Sequence, residues 1–459
     1  MSDRTSATSA TEAQSPARIA LYDDFAAINS IDAALYSRYD VKRGLRNADG
    51  TGVVAGITNI SDVHGYRMVD GVKTPDEGVL HLRGYNLYDL VCAADETRRF
   101  NFEEVAYLLL RGNLPTAREL GAFIAAIDAL RELPDGFTAS MIMRDTPRDI
   151  MNLLSRTILE LYAHDPDAED RSPAHEITTA ISLISKLPRI MVLAYHALEC
   201  TFNQGSMFIH RFIPGQSTAE TILSMLRPTR EFTPEEARML DIMLCLHAEH
   251  GGGNNSTFTT RVLSSADTDA YSAYSAAIGS LKGFRHGGAN HKVRAMHADI
   301  RENCPGWAND AALTAYLEKI LRREAFDGAG FIYGMGHAVY TLSDPRAVIC
   351  KQYAEKLAKG TAFEEEFTLL DGIERLAPKS ILNVKGTDKA ICANIDMYSG
   401  LVYTMLGIPE AMFTPMFACG RMPGWAAHRF EETCTGRIIR PAYQTTYESE
   451  RPYVPLAER

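Results

Sequence analysis

Two histidines of this chain stand among glycines in gaps between stretches of helical periodicity, and a third closes a helical stretch that stops at glycine. His286 lies in K-G-F-R-H-G-G-A-N, with Gly283 before it and Gly287 and Gly288 after it. His250 closes H-A-E-H and runs into Gly251–Gly253, and His337 follows Gly334 and Gly336 in F-I-Y-G-M-G-H-A-V-Y. Glycine permits positive φ and lets another group come close, so such junctions can turn an imidazole toward a cleft instead of a core. A satisfied loop histidine beside a helix cap is the plain alternative at each position, because short stretches match by chance.

Charges in apolar surroundings narrow the choice. Asp396, in N-I-D-M-Y-S-G, falls inside a stretch read as helical from 390 to 406 and otherwise apolar. A carboxylate buried there is either paired or functional. Arg421, in F-A-C-G-R-M-P-G-W, is a cation in an apolar helix, for which a carboxylate partner is expected. Arg346 follows Asp344-Pro345 at a helix start, where backbone N–H groups and a guanidinium can face one anion. This inventory suits proton abstraction next to a carbonyl: a carboxylate base, neutral imidazoles to hold an enolate and polarise an electrophile, and arginines to clamp a dicarboxylate. His247 and His250 share a helix face, yet H-A-E-H is neither H-E-x-x-H nor H-x-x-E-H, so no metal is expected.

The elements that must position these residues are mainly helices. Between Asp40 and Leu90, glycine-rich strand-like pieces around N-A-D-G-T-G predict one or two small hairpins. From Asn101 the helical period takes over, with a first helix ending at Gly112 and a long apolar one over 176–201, buried all round. Thr233-Pro-Glu-Glu opens another with an N-cap threonine, proline at N1 and acids in the first turn. Further helices are expected over 267–281, 289–302, 345–359, 363–377 and 409–432. There is no βαβ rhythm, no G-x-G-x-x-G after a strand and no G-x-x-x-x-G-K-[ST], which argues against a dinucleotide or P-loop site.

Composition excludes several classes of partner. With 47 Lys and Arg against 58 Asp and Glu, the net charge is −11, a poor match to nucleic acid or an anionic membrane surface. The eight cysteines are scattered without a C-x-x-C, as in a reduced, cytoplasmic protein. No apolar run reaches the roughly 18 residues of a membrane span. Residues 1–18 are small and polar and read as a disordered tail.

Five blocks, H-A-E-H-G-G-G-N-N-S-T, H-G-G-A-N, G-M-G-H-A-V-Y with D-P-R, N-I-D-M-Y-S-G, and F-A-C-G-R-M-P-G-W-A-A-H, resemble in order and spacing the signature blocks of the citrate synthase family. V-K-R-G-L-R-N-A-D-G-T-G-V-V-A-G-I-T resembles the amino-terminal hairpin region of some bacterial members. The resemblance implies a mainly α, two-domain helical fold and a homodimer. Residues 19–286 would form the first part of a large domain, 287–401 a small inserted domain, and 402–459 the second part with a carboxy-terminal tail. It implies condensation of acetyl-CoA with oxaloacetate to citrate, the entry step of the tricarboxylic acid cycle, with coenzyme A thioester as substrate and no cofactor. His286 would hold the enolate, Asp396 would be the base and His337 would polarise the oxaloacetate carbonyl. His250, Arg346, Arg421 and, from the neighbouring subunit, Arg440 would bind oxaloacetate, with coenzyme A near Lys385 and Lys389. Two departures from the bacterial pattern, Ala338 and Ala442, stand where many members carry basic residues. The alternatives are 2-methylcitrate synthase acting on propionyl-CoA, a non-catalytic dicarboxylate-binding regulator, and a metal hydrolase built on His247 and His250.

Overall fold

A computed structural model of the chain describes residues 25–284, 286–387, 389–447 and 449–459. The expected disordered tail, 1–18, lies outside the described residues. By internal packing the chain divides into two units, Met1–Ala55 with Arg440–Arg459, and Gly56–Ile439. In the first, N-A-D-G-T-G makes the expected turn: Asn47 and Thr51 pair through their backbones, and Arg46 and Gly52 form an isolated bridge.

The second unit carries the candidate chemistry. It opens with a hairpin, β1 (Ser61–Val69) and β2 (Val72–Leu82), and a short β3 (Tyr85–Asn86) completes an antiparallel sheet in the order β1-β2-β3. The β1–β2 turn is Asp70-Gly71, both with positive φ (51° and 79°), the backbone that this dipeptide adopts most readily. Helices follow: α1 (Phe102–Arg111), stopped by left-handed Gly112; α2 (Pro173–Phe202); α3 (Pro234–His247); and α4 (Asn255–Ser264). Then come α5 (Ala270–Lys282), α6 (Ala289–Asn303), α7 (Pro345–Ala358), α8 (Glu364–Lys385), α9 (Asp396–Met405) and α10 (Phe413–Thr435). At α3 the threonine cap is present as expected, with Thr233 and Glu236 closing a reciprocal capping box.

Two of the boundaries that differ from the sequence reading have local reasons. α2 begins at Pro173 because Ser172 caps it by accepting the His175 N–H, and proline fits N1. By length and apolarity α2 is long enough to cross a membrane, but most of it is buried inside the fold. The stretch from 390 is not helical until Asp396. Its backbone is taken by the His337 loop: Gly336 N–H donates to Cys392 O at 2.8 Å, and Asn394 N–H to Gly334 O at 2.9 Å.

Helix α10 runs through the centre of the unit and packs on α2, α3 and α4. Its Gly420 and Gly424 have no room for a side chain. A Cβ on Gly420 would lie 2.9 Å from the His247 Cβ, and one on Gly424 would lie 2.3 Å from Ala248 O. The end of α3 is therefore drawn tightly onto α10. The hairpin meets the chain after His337 with the same economy of space, since a Cβ on Gly78 would fall 2.1 Å from Ser343 O. Asp76 N–H donates to Thr341 Oγ1 at 3.1 Å and Gly78 N–H to Ser343 Oγ at 3.0 Å, so backbone-to-hydroxyl hydrogen bonds fix the dock.

Candidate active site

His337 is set by its glycines. Gly334 and Gly336 take φ of 81° and 93°, which side chains rarely adopt, and the turn they make is pinned to 392–394. The ring's Nδ1 accepts the N–H groups of Val339 (3.0 Å) and Tyr340 (3.1 Å). A backbone N–H only donates, so the proton of the neutral ring sits on Nε2. His337 is thereby a donor through that atom.

Two residues beyond the pinned strand, Asp396 opens α9. Asn394 makes the junction, its Oδ1 accepting Asp396 N–H at 3.0 Å and its Nδ2 donating to Gly336 O at 2.9 Å. Asp396 is thus at the first turn of a helix, not within one. Burial pushes its carboxyl up to about 6, with Arg346 pulling down and Asp344 pushing up. A carboxyl so placed accepts a proton near neutral pH.

His286 is held from α4. Its Nε2 accepts the Ser256 N–H at 3.4 Å and lies 3.0 Å from Ser256 Oγ, which also accepts Trp425 Nε1–H at 3.2 Å. The proton of the neutral ring therefore belongs on Nδ1. Burial, with Arg421 second, lowers its pKa to about 4. The glycine after it is required by space: a Cβ on Gly287 would lie 2.3 Å from Leu281 O.

His250 joins these groups. It is buried, its ring edge meets the His337 ring at 4.8 Å between centroids, and it lies in the fields of Arg346, His337, Arg421 and His286. Burial above all, then Arg346, holds it neutral, well below the usual imidazole range. Arg346 is buried at the start of α7 with Nε and Nη2 on Asp344 at 3.1 and 2.7 Å, a two-pronged pair, while Asp344 also caps the helix. Among the described residues no carboxylate is hydrogen-bonded to Arg421 as the sequence led one to expect, and Glu249 acts on it only through its field. Arg421 Nε donates to His247 O at 2.6 Å, at the carbonyl end of α3, and the buried Nη2 has no hydrogen-bond partner among the described residues. Burial lowers its pKa to about 10. An unsatisfied buried guanidinium N–H is a receptor for an anion.

The family model for the citrate synthase C-terminal domain matches residues 46–442. The chain belongs to the citrate synthase family. It is 36% identical over 360 residues to a citrate synthase of Deinococcus radiodurans, covering 78% of this chain and 88% of that one. It is 31% identical to a 2-methylcitrate synthase of Shewanella oneidensis, over 83% of this chain and 92% of that one. Its fold matches a citrate synthase from Thermoplasma acidophilum, solved in a ternary complex with carboxymethyl coenzyme A and oxaloacetate. That match has a TM-score of 0.75 and 28% identity, covering 91% of this chain and 99% of the other.

Of the family positions read from the sequence, six gather in this constellation: His250, His286, His337, Arg346, Asp396 and Arg421. Lys385 ends α8, with Nζ donating to Gly330 O at 3.0 Å and standing 5.1 Å from the centre of the Phe331 ring. Lys389 is exposed. Arg440 belongs to the other unit, exposed in a segment without regular structure. Among the described residues, no group of three His, Cys, Asp or Glu side chains is arranged to hold a metal ion. The sequence reading gave no role to Ser256, Trp425 or Asp344, the groups that orient His286 and Arg346. Asp344 was noted before Pro345, and Ser256 lies in a stretch that reads as a polar helix start at the same cleft, but what each of them holds is not written locally.

Proposed function

We propose that this chain condenses acetyl-CoA with oxaloacetate and hydrolyses the citryl thioester to citrate and coenzyme A, as citrate synthase at the entry to the tricarboxylic acid cycle. The observation that carries the reading is the pair of fixed imidazole tautomers, His286 with its proton on Nδ1 and His337 with its proton on Nε2, gathered with a carboxyl poised near 6. Asp396 takes a methyl proton of acetyl-CoA while His286 donates to the thioester oxygen, so the enolate forms against a donor and not in water. The new carbon–carbon bond joins the methyl carbon to the keto carbon of oxaloacetate, whose oxygen receives a proton from His337. Water then adds to the citryl thioester, the C–S bond breaks and the coenzyme A thiol leaves.

Arg421 Nη2, His250 and Arg346 hold the oxaloacetate carboxylates, and Arg440 completes their grip from the neighbouring subunit of a homodimer. Coenzyme A lies along Lys385 and Lys389. Residues 287–401 act as a small domain that closes over the substrates. The eight unpaired cysteines favour a cytoplasmic setting. Thiol release on mixing the protein with both substrates tests the reading, and its absence with any acyl thioester overturns it. Similarity to a 2-methylcitrate synthase supports propionyl-CoA as a second reading. One methylene is worth about 1–3 kcal/mol, so kcat/KM for the two thioesters decides between them.

A further inference from the structure

Beside His250 lies a chain of polar groups, buried at its inner end and part-buried at its outer end, that the reaction above does not use. Glu249, wholly buried, directs Oε1 at three donors from three parts of the fold: Ser61 Oγ of β1 at 2.9 Å, His428 Nε2 of α10 at 2.9 Å, and the N–H of Gly251. It therefore spans the peptides on either side of His250. The far nitrogen of His428, Nδ1, accepts Nε and Nη2 of Arg261 at 3.1 and 2.7 Å. A guanidinium cannot accept, so His428 carries its proton on Nε2 and gives it to Glu249. Arg261 is in turn held by Glu431, and by Glu432 at 2.8 Å. Each link fixes the donor direction of the next: carboxylate, imidazole, guanidinium, carboxylates.

We propose that Glu249, His428 and Arg261 act as a positioning relay that aims His250 at the bound dicarboxylate. Gly251 takes φ of 82° and a Cβ there would crowd Val63 at 3.0 Å, so the turn after His250 has one backbone path. Glu249 locks it from inside, and Asn254 from outside through Nδ2 to Gly251 O at 2.9 Å. The His250 ring has no hydrogen-bond partner at Nε2 among the described residues, so its aim comes from this backbone and from ring packing against His337 and Tyr340. Ser61 ties the same carboxylate to the hairpin that docks on the His337 chain. One buried carboxylate thus registers both histidines of the keto-acid side, and leaves His286 and Asp396 to other supports.

This rests on the condensation reading, and the test separates the two. Wild-type protein must first release thiol from acetyl-CoA with oxaloacetate; if it does not, the condensation reading fails and the relay fails with it. Given activity, Glu249→Gln, His428→Gln and the double variant are compared by steady-state kinetics in each substrate. The relay predicts that KM for oxaloacetate rises on the order of 10-fold in either single variant, the weight of one charge-assisted hydrogen bond. KM for acetyl-CoA stays within about twofold, and the double variant is no worse than the poorer single one, because both break one unit. Arg261→Lys removes the fork on His428 but keeps the cation beside Glu431 and Glu432. It gives the same split at smaller size, and serves if the central variants do not fold. Equal loss in both substrates, or additive losses in the double variant, overturns the relay.

Discussion

Two arginines eight residues apart on α10, Arg421 and Arg429, are both completely buried and could hardly be held more differently. Arg429 places Nε and Nη2 on Glu176 at 2.8 and 2.6 Å and adds Ser264 Oγ at 3.3 Å and Thr268 O at 2.9 Å. Burial would lower its pKa, but Glu176 and its neighbours more than offset this and raise it. Among the described residues Arg421 has one carbonyl and an unpartnered Nη2, and its pKa is lowered by burial. A buried charge is costly until paired, so a fully paired arginine braces the fold and an under-paired one stores a demand for an anion. For these two residues burial alone does not distinguish a strut from a binding group; the count of satisfied N–H groups does.

The largest effects come from breaking each side of that pair. Arg421→Ala should lower kcat/KM for oxaloacetate by about 10²–10³-fold, the range for truncating a buried charged contact, with little loss of stability. Arg429→Ala leaves Glu176 buried without its cation and should cost about 3–5 kcal/mol in denaturant unfolding, with a near-normal KM in the protein that remains folded. Equal loss of stability in both variants would erase the distinction. A second measurement sharpens it. Oxaloacetate at 100 times its dissociation constant should stabilise wild type by about 2.7 kcal/mol, and Arg429→Ala by the same increment. A thermal melt of Arg421→Ala should not respond at that concentration.

How far the sequence reached follows from the same contrast. Arg421 was singled out as a charge in an apolar helix, yet its partner was misjudged, because a helix-end carbonyl from α3 stands where a carboxylate was expected. Arg429 was passed over, since Glu176 lies 253 residues away and nothing local marks the pair. Asp396 was legible as a carboxylate among apolar neighbours, but not as the first residue of its helix, which depends on Gly334 and Gly336 capturing residues 392–394. Helix caps such as Thr233 and the stop at Gly112 were readable because they are written within four residues. Tautomers were out of reach, for they are set by N–H groups of Ser256, Val339 and Tyr340 that only the fold brings to the rings.

Between the two arginines, Gly424 offers a smaller perturbation that tests whether the α3–α10 contact transmits to the site. Adding a methyl there puts it 2.3 Å from Ala248 O and 2.4 Å from Glu249 Oε2. Gly424→Ala should cost about 1–3 kcal/mol by overpacking. It should also raise KM for oxaloacetate more than KM for acetyl-CoA, because the strain falls on the turn carrying His250. A loss of stability with both KM values unchanged would confine the effect to packing.

Asp396 is a third kind of charge, neither paired like Arg429 nor a cation with an unpartnered N–H like Arg421. Its folded pKa, about 6, lies above the ordinary 3.8 because burial disfavours the anion more than Arg346 favours it. In its proposed role as base it must be ionised, so kcat/KM for acetyl-CoA should fall about tenfold per pH unit below 6 and level off above it. Stability runs the other way. A carboxyl whose pKa is raised on folding stabilises the protein fully below its unfolded value, near 4, and loses that contribution as pH rises through 6. Asp396→Asn cannot ionise, so its melting temperature should exceed that of wild type at pH 8, with the gap closing between pH 6 and pH 4. The same variant should lose about 10²–10⁴-fold in kcat at pH 8, which sets the cost of an ionised buried base against what it does. A flat activity profile from pH 5 to 7, or a melting-temperature gap that widens toward pH 4, would remove Asp396 from this role.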